Sequence, residues 1–107
     1  MKVSDLSNLN VFTPLCLSSD HTITGVFCCD LLSIAMGKAP AGSAWVTVMA
    51  NVNTLAVASL TDVACIILAE GVTFDNSLIE KAKEEGIAVL KTDLPIFDAA
   101  LLIKNSL

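Results

Sequence analysis

Apolar and polar positions along this chain fall into short blocks that switch between two periods. Residues 63–69 (VACIILA) are an unbroken apolar run, and residues 44–49 (AWVTVM) and 87–91 (IAVLK) are nearly as dense. Runs of this length predict strands buried on both faces, as in a parallel sheet. Between them lie segments of helical period. Residues 51–61 place Val52, Leu55, Ala56, Ser59 and Leu60 on one face, and the other face still carries Val57 and Ala58, so little of this helix is made for water. Residues 76–85 form a second helix ended by Gly86, and a third is predicted after a Thr92 or Asp93 cap, with Pro95 in its first turn.

The first half is less regular. A short helix is predicted over 2–8, and a strand over 11–17 whose Pro14 places it at a sheet edge. After a polar loop at 18–21, residues 22–29 read as a strand. Residues 30–36 read as a short helix with Asp30 as N-cap and Gly37 as left-handed C-cap, before a Pro40-Ala41-Gly42 turn. The second half thus repeats strand–helix, which demands a parallel sheet with right-handed crossovers. The first two strands are expected to add to it as an antiparallel pair. The predicted fold is one compact α/β domain over residues 1–107, with a mixed, mostly parallel sheet flanked by helices.

Composition narrows the function. The chain is 54% hydrophobic and only 16% charged, against a usual charged fraction of about 25%. So few charges leave apolar surface to cover, and a homo-oligomer, most simply a dimer, is expected. A net charge of −5, built from six lysines and no arginine, argues against nucleic acid as a partner. The opening MKVSDLSNLN has no apolar signal region. The most membrane-like stretch, residues 54–69, carries Asp62 and is too short to cross about 30 Å of hydrocarbon. A cytoplasmic protein with no membrane partner is expected.

The loudest chemistry is DHTITGVFCCDLLS at 20–33, with two adjacent cysteines and the chain's single histidine. Successive strand residues point to opposite faces, so Cys28 and Cys29 cannot hold one ion together. Cys16 and Cys65 lie in separate apolar runs, and no C-x-x-C spacing exists. The cysteines are therefore expected to fill the interior; neither a metal nor a cofactor is expected. Gly37-Lys38 fails the phosphate-loop pattern at both ends, because Leu32 and Ala39 stand where Gly and Ser/Thr belong. Glu84 and Glu85 belong to a solvated helix face. The chain is not expected to be an enzyme.

Three stretches together resemble the DRTGG domain. They are D-H-x-x-T-G-V-x-x-x-D-L-L-S at 20–33, W-V-T-V-x-x-N-V-N-T-L-A-V-A-S-L at 45–60, and residues 64–70 followed by a helix and Ile87-Ala88-Val89-Leu90. The resemblance implies a fold similar to the N-terminal domain of the bacterial HPr kinase/phosphorylase. Modules of this kind also accompany phosphotransacetylases and CBS-containing pyrophosphatases. It implies a regulatory role with self-association, sensing a small ligand or a partner protein, and no catalysis. Two positions depart from the family: His21 stands where an arginine is usual, and Asn51 where a histidine is common. A permanent charge is thus replaced by an imidazole, and a titratable group by an amide.

The residues singled out for ligand binding are Asp20, His21, Thr24, Gly25, Asp30, Asn51 and Asn53. Gly25 would permit close backbone approach within a strand, and Asn51 and Asn53 sit at a strand-to-helix junction rich in free N–H groups. Asp30 and Asn51 suit plain N-caps equally well, and His21 suits a solvated loop. Two other readings stay open: an interaction module docking on a larger enzyme or kinase, and a small enzyme using His21 with Asp20 or Asp30.

Overall fold

The computed structural model describes residues 1–107. Its centre is strand β4 (Cys65–Leu68), every residue of which is buried. Strands β3 (Ser43–Thr47) and β5 (Val89–Lys91) flank it, with β2 (Gly25–Cys28) beyond β3 and β1 (Thr13–Cys16) beyond β5, giving the order β1-β5-β4-β3-β2. Strands β2 to β5 are parallel, and β1 runs antiparallel to β5.

Side-chain alternation divides the core into two layers. Helices α2 (Leu32–Lys38), α3 (Val52–Thr61) and α4 (Asn76–Glu85) cover one face, over Trp45, Ile66, Leu68 and Val89. Helices α1 (Val3–Leu6) and α5 (Ile96–Ser106) cover the other, over Val46, Ile67 and Leu90. The result is the expected α/β fold, in three layers. No helix is long and apolar enough to cross a membrane.

Several expectations are corrected. β1 and β2 are not paired with each other but lie at opposite edges of the sheet. Residues 17–24 run past the amino ends of the parallel strands instead, held by Ser19 Oγ donating to Gly86 O (2.9 Å), Val3 N–H to His21 O (3.0 Å) and Ile23 N–H to Met1 O (2.8 Å). β2 is therefore an edge strand, and only two cysteines fill the interior. Cys16 and Cys65 are buried, Cys29 is half-buried and Cys28 is exposed. Burial pushes the Cys65 thiol up to about 12.

Gly37 is not a cap; α2 runs on to Lys38 and stops before Pro40, which offers no N–H to continue it. Neither Thr92 nor Asp93 is the N-cap of α5, which is Pro95. The buried face of α3 carries Thr54, Leu55, Val57 and Ala58, leaving Val52 and Leu60 outside. Thr54 is drawn in because its hydroxyl donates to Met49 O at 2.8 Å.

Candidate functional site

The seven singled-out residues fall into two groups separated by the length of β2. Asp20, His21, Thr24 and Gly25 lie at the amino end of the parallel strands. Asp30, Asn51 and Asn53 lie beyond the carboxyl ends of β2 and β3.

At the amino end, Asp20 holds the first turn of α1. Its two carboxylate oxygens accept from Ser4 N–H and Ser4 Oγ, each at 2.9 Å. The Ser4 N–H, then its hydroxyl, holds the Asp20 carboxyl below its ordinary 3.8. A lowered carboxyl pKa stabilises the fold above about pH 4 and loses that contribution as pH falls through the lowered value. Asp20→Ala should therefore lower the melting temperature at pH 7, with the gap to wild type closing below pH 4. A gap independent of pH in thermal unfolding would contradict this role. His21 is exposed, and its backbone carbonyl, rather than its imidazole, is engaged.

Thr24 N–H donates to Gly42 O at 2.9 Å. Gly42 has φ +79°, and a Cβ there would stand 2.8 Å from Thr24 Oγ1. At Gly25 a Cβ would meet nothing within 4 Å, so no close approach requires a glycine there. Two opposite outcomes follow in urea denaturation. Gly42→Ala should cost about 1–2 kcal/mol, whereas Gly25→Ala should gain about 0.5–1 kcal/mol by stiffening the unfolded chain.

At the carboxyl end the polar groups form a linked set. Asp30 does not cap α2, whose N-cap is Leu31. Its Oδ1 accepts from Thr47 Oγ1 at 2.7 Å and from Val48 N–H at 2.9 Å, tying the end of β2 to the end of β3. Thr47 Oγ1 accepts in turn from Met49 N–H at 3.2 Å. Asn51 caps α3, its Oδ1 accepting from Asn53 N–H (2.9 Å) and Thr54 N–H (3.3 Å). The oxygens of Asp30 and Asn51 thus build the loop, while the Asn51 side-chain NH₂ and the whole Asn53 amide face solvent.

Sequence reasoning missed a polar cleft on the same side of the sheet. Residues 91–94 and Asn10, Val11 and Thr13 enclose about 350 Å³. Lys91, at the carboxyl end of β5, supplies a cation, and Asp93 a carboxylate. The cleft lies between β5 and antiparallel β1, one strand from the β4–β5 boundary at which the chain turns to α4 on one face and to α5 on the other. Ligands of open α/β sheets gather outside the carboxyl ends of the strands. The K-T-D triplet closing a buried strand was the available signal. A second, apolar groove of about 360 Å³ lies between β2 and α5, lined by Val26, Cys28, Phe97, Ala100, Leu101 and Lys104.

No protein-family model and no curated protein matches the chain. Among solved structures it is similar to the CBS and DRTGG domains of the regulatory region of Clostridium perfringens pyrophosphatase, complexed with the activator diadenosine tetraphosphate. The TM-score is 0.70 at 21% identity, over 95% of this chain and 45% of that one. The fold is DRTGG-like. The chain spans less than half the length of that regulatory structure.

Proposed function

We propose that this chain is a non-catalytic regulatory domain that senses a small, nucleotide-like ligand or a partner protein, acts as a dimer, and is kin to the N-terminal domain of HPr kinase/phosphorylase. The observation that carries the reading is the fold, shared along 95% of the chain with a regulatory region complexed with a nucleotide activator. The polar cleft beside Lys91 adds a seat with one cation for phosphate, set beside the Asp93 carboxylate. The polar groups first suspected of chemistry have structural work: Asp20 holds α1, and Asp30 joins β2 to β3. His21 and Asp30 also stand at opposite ends of β2, which argues against their acting as a catalytic pair.

The test is calorimetry and thermal shift of the full chain with diadenosine tetraphosphate, ATP and AMP, in wild type and Lys91→Ala. Ligand at a hundredfold excess over its Kd adds about 2.7 kcal/mol, which raises Tm by on the order of 10 °C in a domain of this size. Lys91→Ala should remove most of that rise. No shift with any of the three nucleotides at millimolar concentration would refute nucleotide sensing by this chain.

A second reading, a module that docks on a larger enzyme or kinase, is favoured by Leu31, Ile34 and Met36 in and beside α2, which are exposed together with Val52 and Leu60 of the neighbouring α3. It gains if the nucleotides are silent and charged substitutions at Ile34 and Met36 release a copurifying protein.

A further inference from the structure

The two edges of the sheet are built differently. β1 carries Pro14, and its register with β5 shifts between Pro14 and Cys16. A proline and an irregular register both blunt an edge against further pairing. β2 has neither: Gly25-Val26-Phe27-Cys28 is uncharged, proline-free and in unbroken register with β3. Cys29 N–H points to β3, donating to Val46 O at 3.3 Å. Backbone groups alternate along a strand, so those of Val26 and Cys28 face away from β3 into the open edge.

The surface beside that edge is apolar. α5 starts at the carboxyl end of the sheet, after β5, and runs back across β3 and β2. It leaves Phe97 66% and Leu101 45% exposed over the groove. Charge is distributed unequally along this surface. Asp30 lies at the carboxyl end of β2, near enough to Cys28 to help raise its thiol pKa, after the larger effect of burial. Lys104 lies near the far end of α5, and neither it nor Asp30 has an ion-pair partner within the chain.

We propose that a second copy of this chain seats on the β2 edge. β2 pairs antiparallel with its counterpart about a twofold axis at Phe27, making one continuous sheet in which the two α5 helices pack side by side over the junction. This assignment deepens the dimer reading proposed above and rests on it. The symmetry reverses one copy relative to the other. It therefore carries the Lys104 end of one α5 to the Asp30 and Phe97 end of the other, twice, and the charges are complementary. The hydrogen-bonding groups at Val26 meet those at Cys28 of the partner subunit. The groove of each protomer closes on the α5 of the other, which covers Phe97 and Leu101.

Sedimentation velocity and an engineered cross-link test this on the full chain. Wild type should sediment as a dimer at 100 µM, and Leu101→Glu should weaken dimerisation at least a hundredfold while its circular dichroism stays that of a folded protein. Because residues exchanging both hydrogen bonds in an antiparallel pair stand about 5.5 Å apart at Cα, within disulfide range, Val26→Cys should cross-link to Cys28 of the partner subunit under diamide. A control Leu60→Cys should not cross-link. A wild-type monomer at 100 µM would overturn dimerisation itself. A dimer that tolerates Leu101→Glu and gives no Val26→Cys cross-link would overturn this interface and leave the dimer reading standing.

Discussion

Trp45→Ala is expected to cost about 3–5 kcal/mol of folding free energy, the range for deleting a fully buried large aromatic. Trp45 is wholly inaccessible, and on β3 it faces the layer formed by α2, α3 and α4. Its indole Nε1–H also donates to Cys29 O at 3.0 Å, fastening the end of edge strand β2 to the sheet interior. The truncation therefore opens a cavity and removes the donor from that carbonyl at once. Trp45→Phe separates the two effects. It keeps most of the packing and loses the hydrogen bond, for about 1–3 kcal/mol. Against a total stability of about 5–15 kcal/mol, the alanine variant should be marginal and the phenylalanine variant folded. Because Trp45 is the single tryptophan, its emission reports wild-type unfolding, and circular dichroism in urea must report both variants. A loss below about 1 kcal/mol for Trp45→Ala would mean that the site collapses around the cavity.

Asp30→Ala is expected to be the costliest change among the polar residues, at about 1–3 kcal/mol. It strips the acceptor from Val48 N–H and from the hydroxyl of Thr47, which is fully buried and cannot turn to water. Thr47→Val should cost a similar amount, because Met49 N–H loses its acceptor too. If the two residues act as one linkage, the double variant falls short of the sum by about 0.5–3 kcal/mol in a double-mutant cycle. Full additivity would show that each is stabilised elsewhere. Asp30→Asn separates structure from charge. An amide oxygen can still accept both bonds, so most of the stability should return, while any salt-sensitive attraction to Lys104 of a partner subunit should not.

Where local chemistry decides an element, the sequence was enough to place it. The limits of α4 follow from Asp75, whose side chain accepts from Leu78 N–H, and from Gly86, whose φ of +71° suits a residue without Cβ. The central position of β4 follows from a run with no polar face to offer water. The buried face of α3 was not legible, because a helix apolar nearly all round has no periodicity to choose between its sides. The place of β2 was not legible either. It depends on where residues 17–24 lead the chain, and hence on bonds from Ser19 to Gly86 and from Val3 to His21 that no local pattern announces.

The candidate site suffered from the same gap. Asp20 and Asp30 are close in sequence, but a strand between them carries them to opposite ends of the sheet. Lys91, Thr92 and Asp93 meet Asn10 and Thr13 only because β1 folds back beside β5. A cleft closed by two segments far apart in the sequence leaves little trace in either alone.

That return pairing also sets an order of events during synthesis. Thr13 lies opposite Lys91, so the first strand has no hydrogen-bonding neighbour in the sheet until β5 has left the ribosome. The strands from β2 to β5 can add one after another as they emerge, but β1 must wait, and contacts of such long sequence separation form slowly. Emergence of β5, rather than collapse of the middle strands, should govern when this domain becomes resistant to proteolysis.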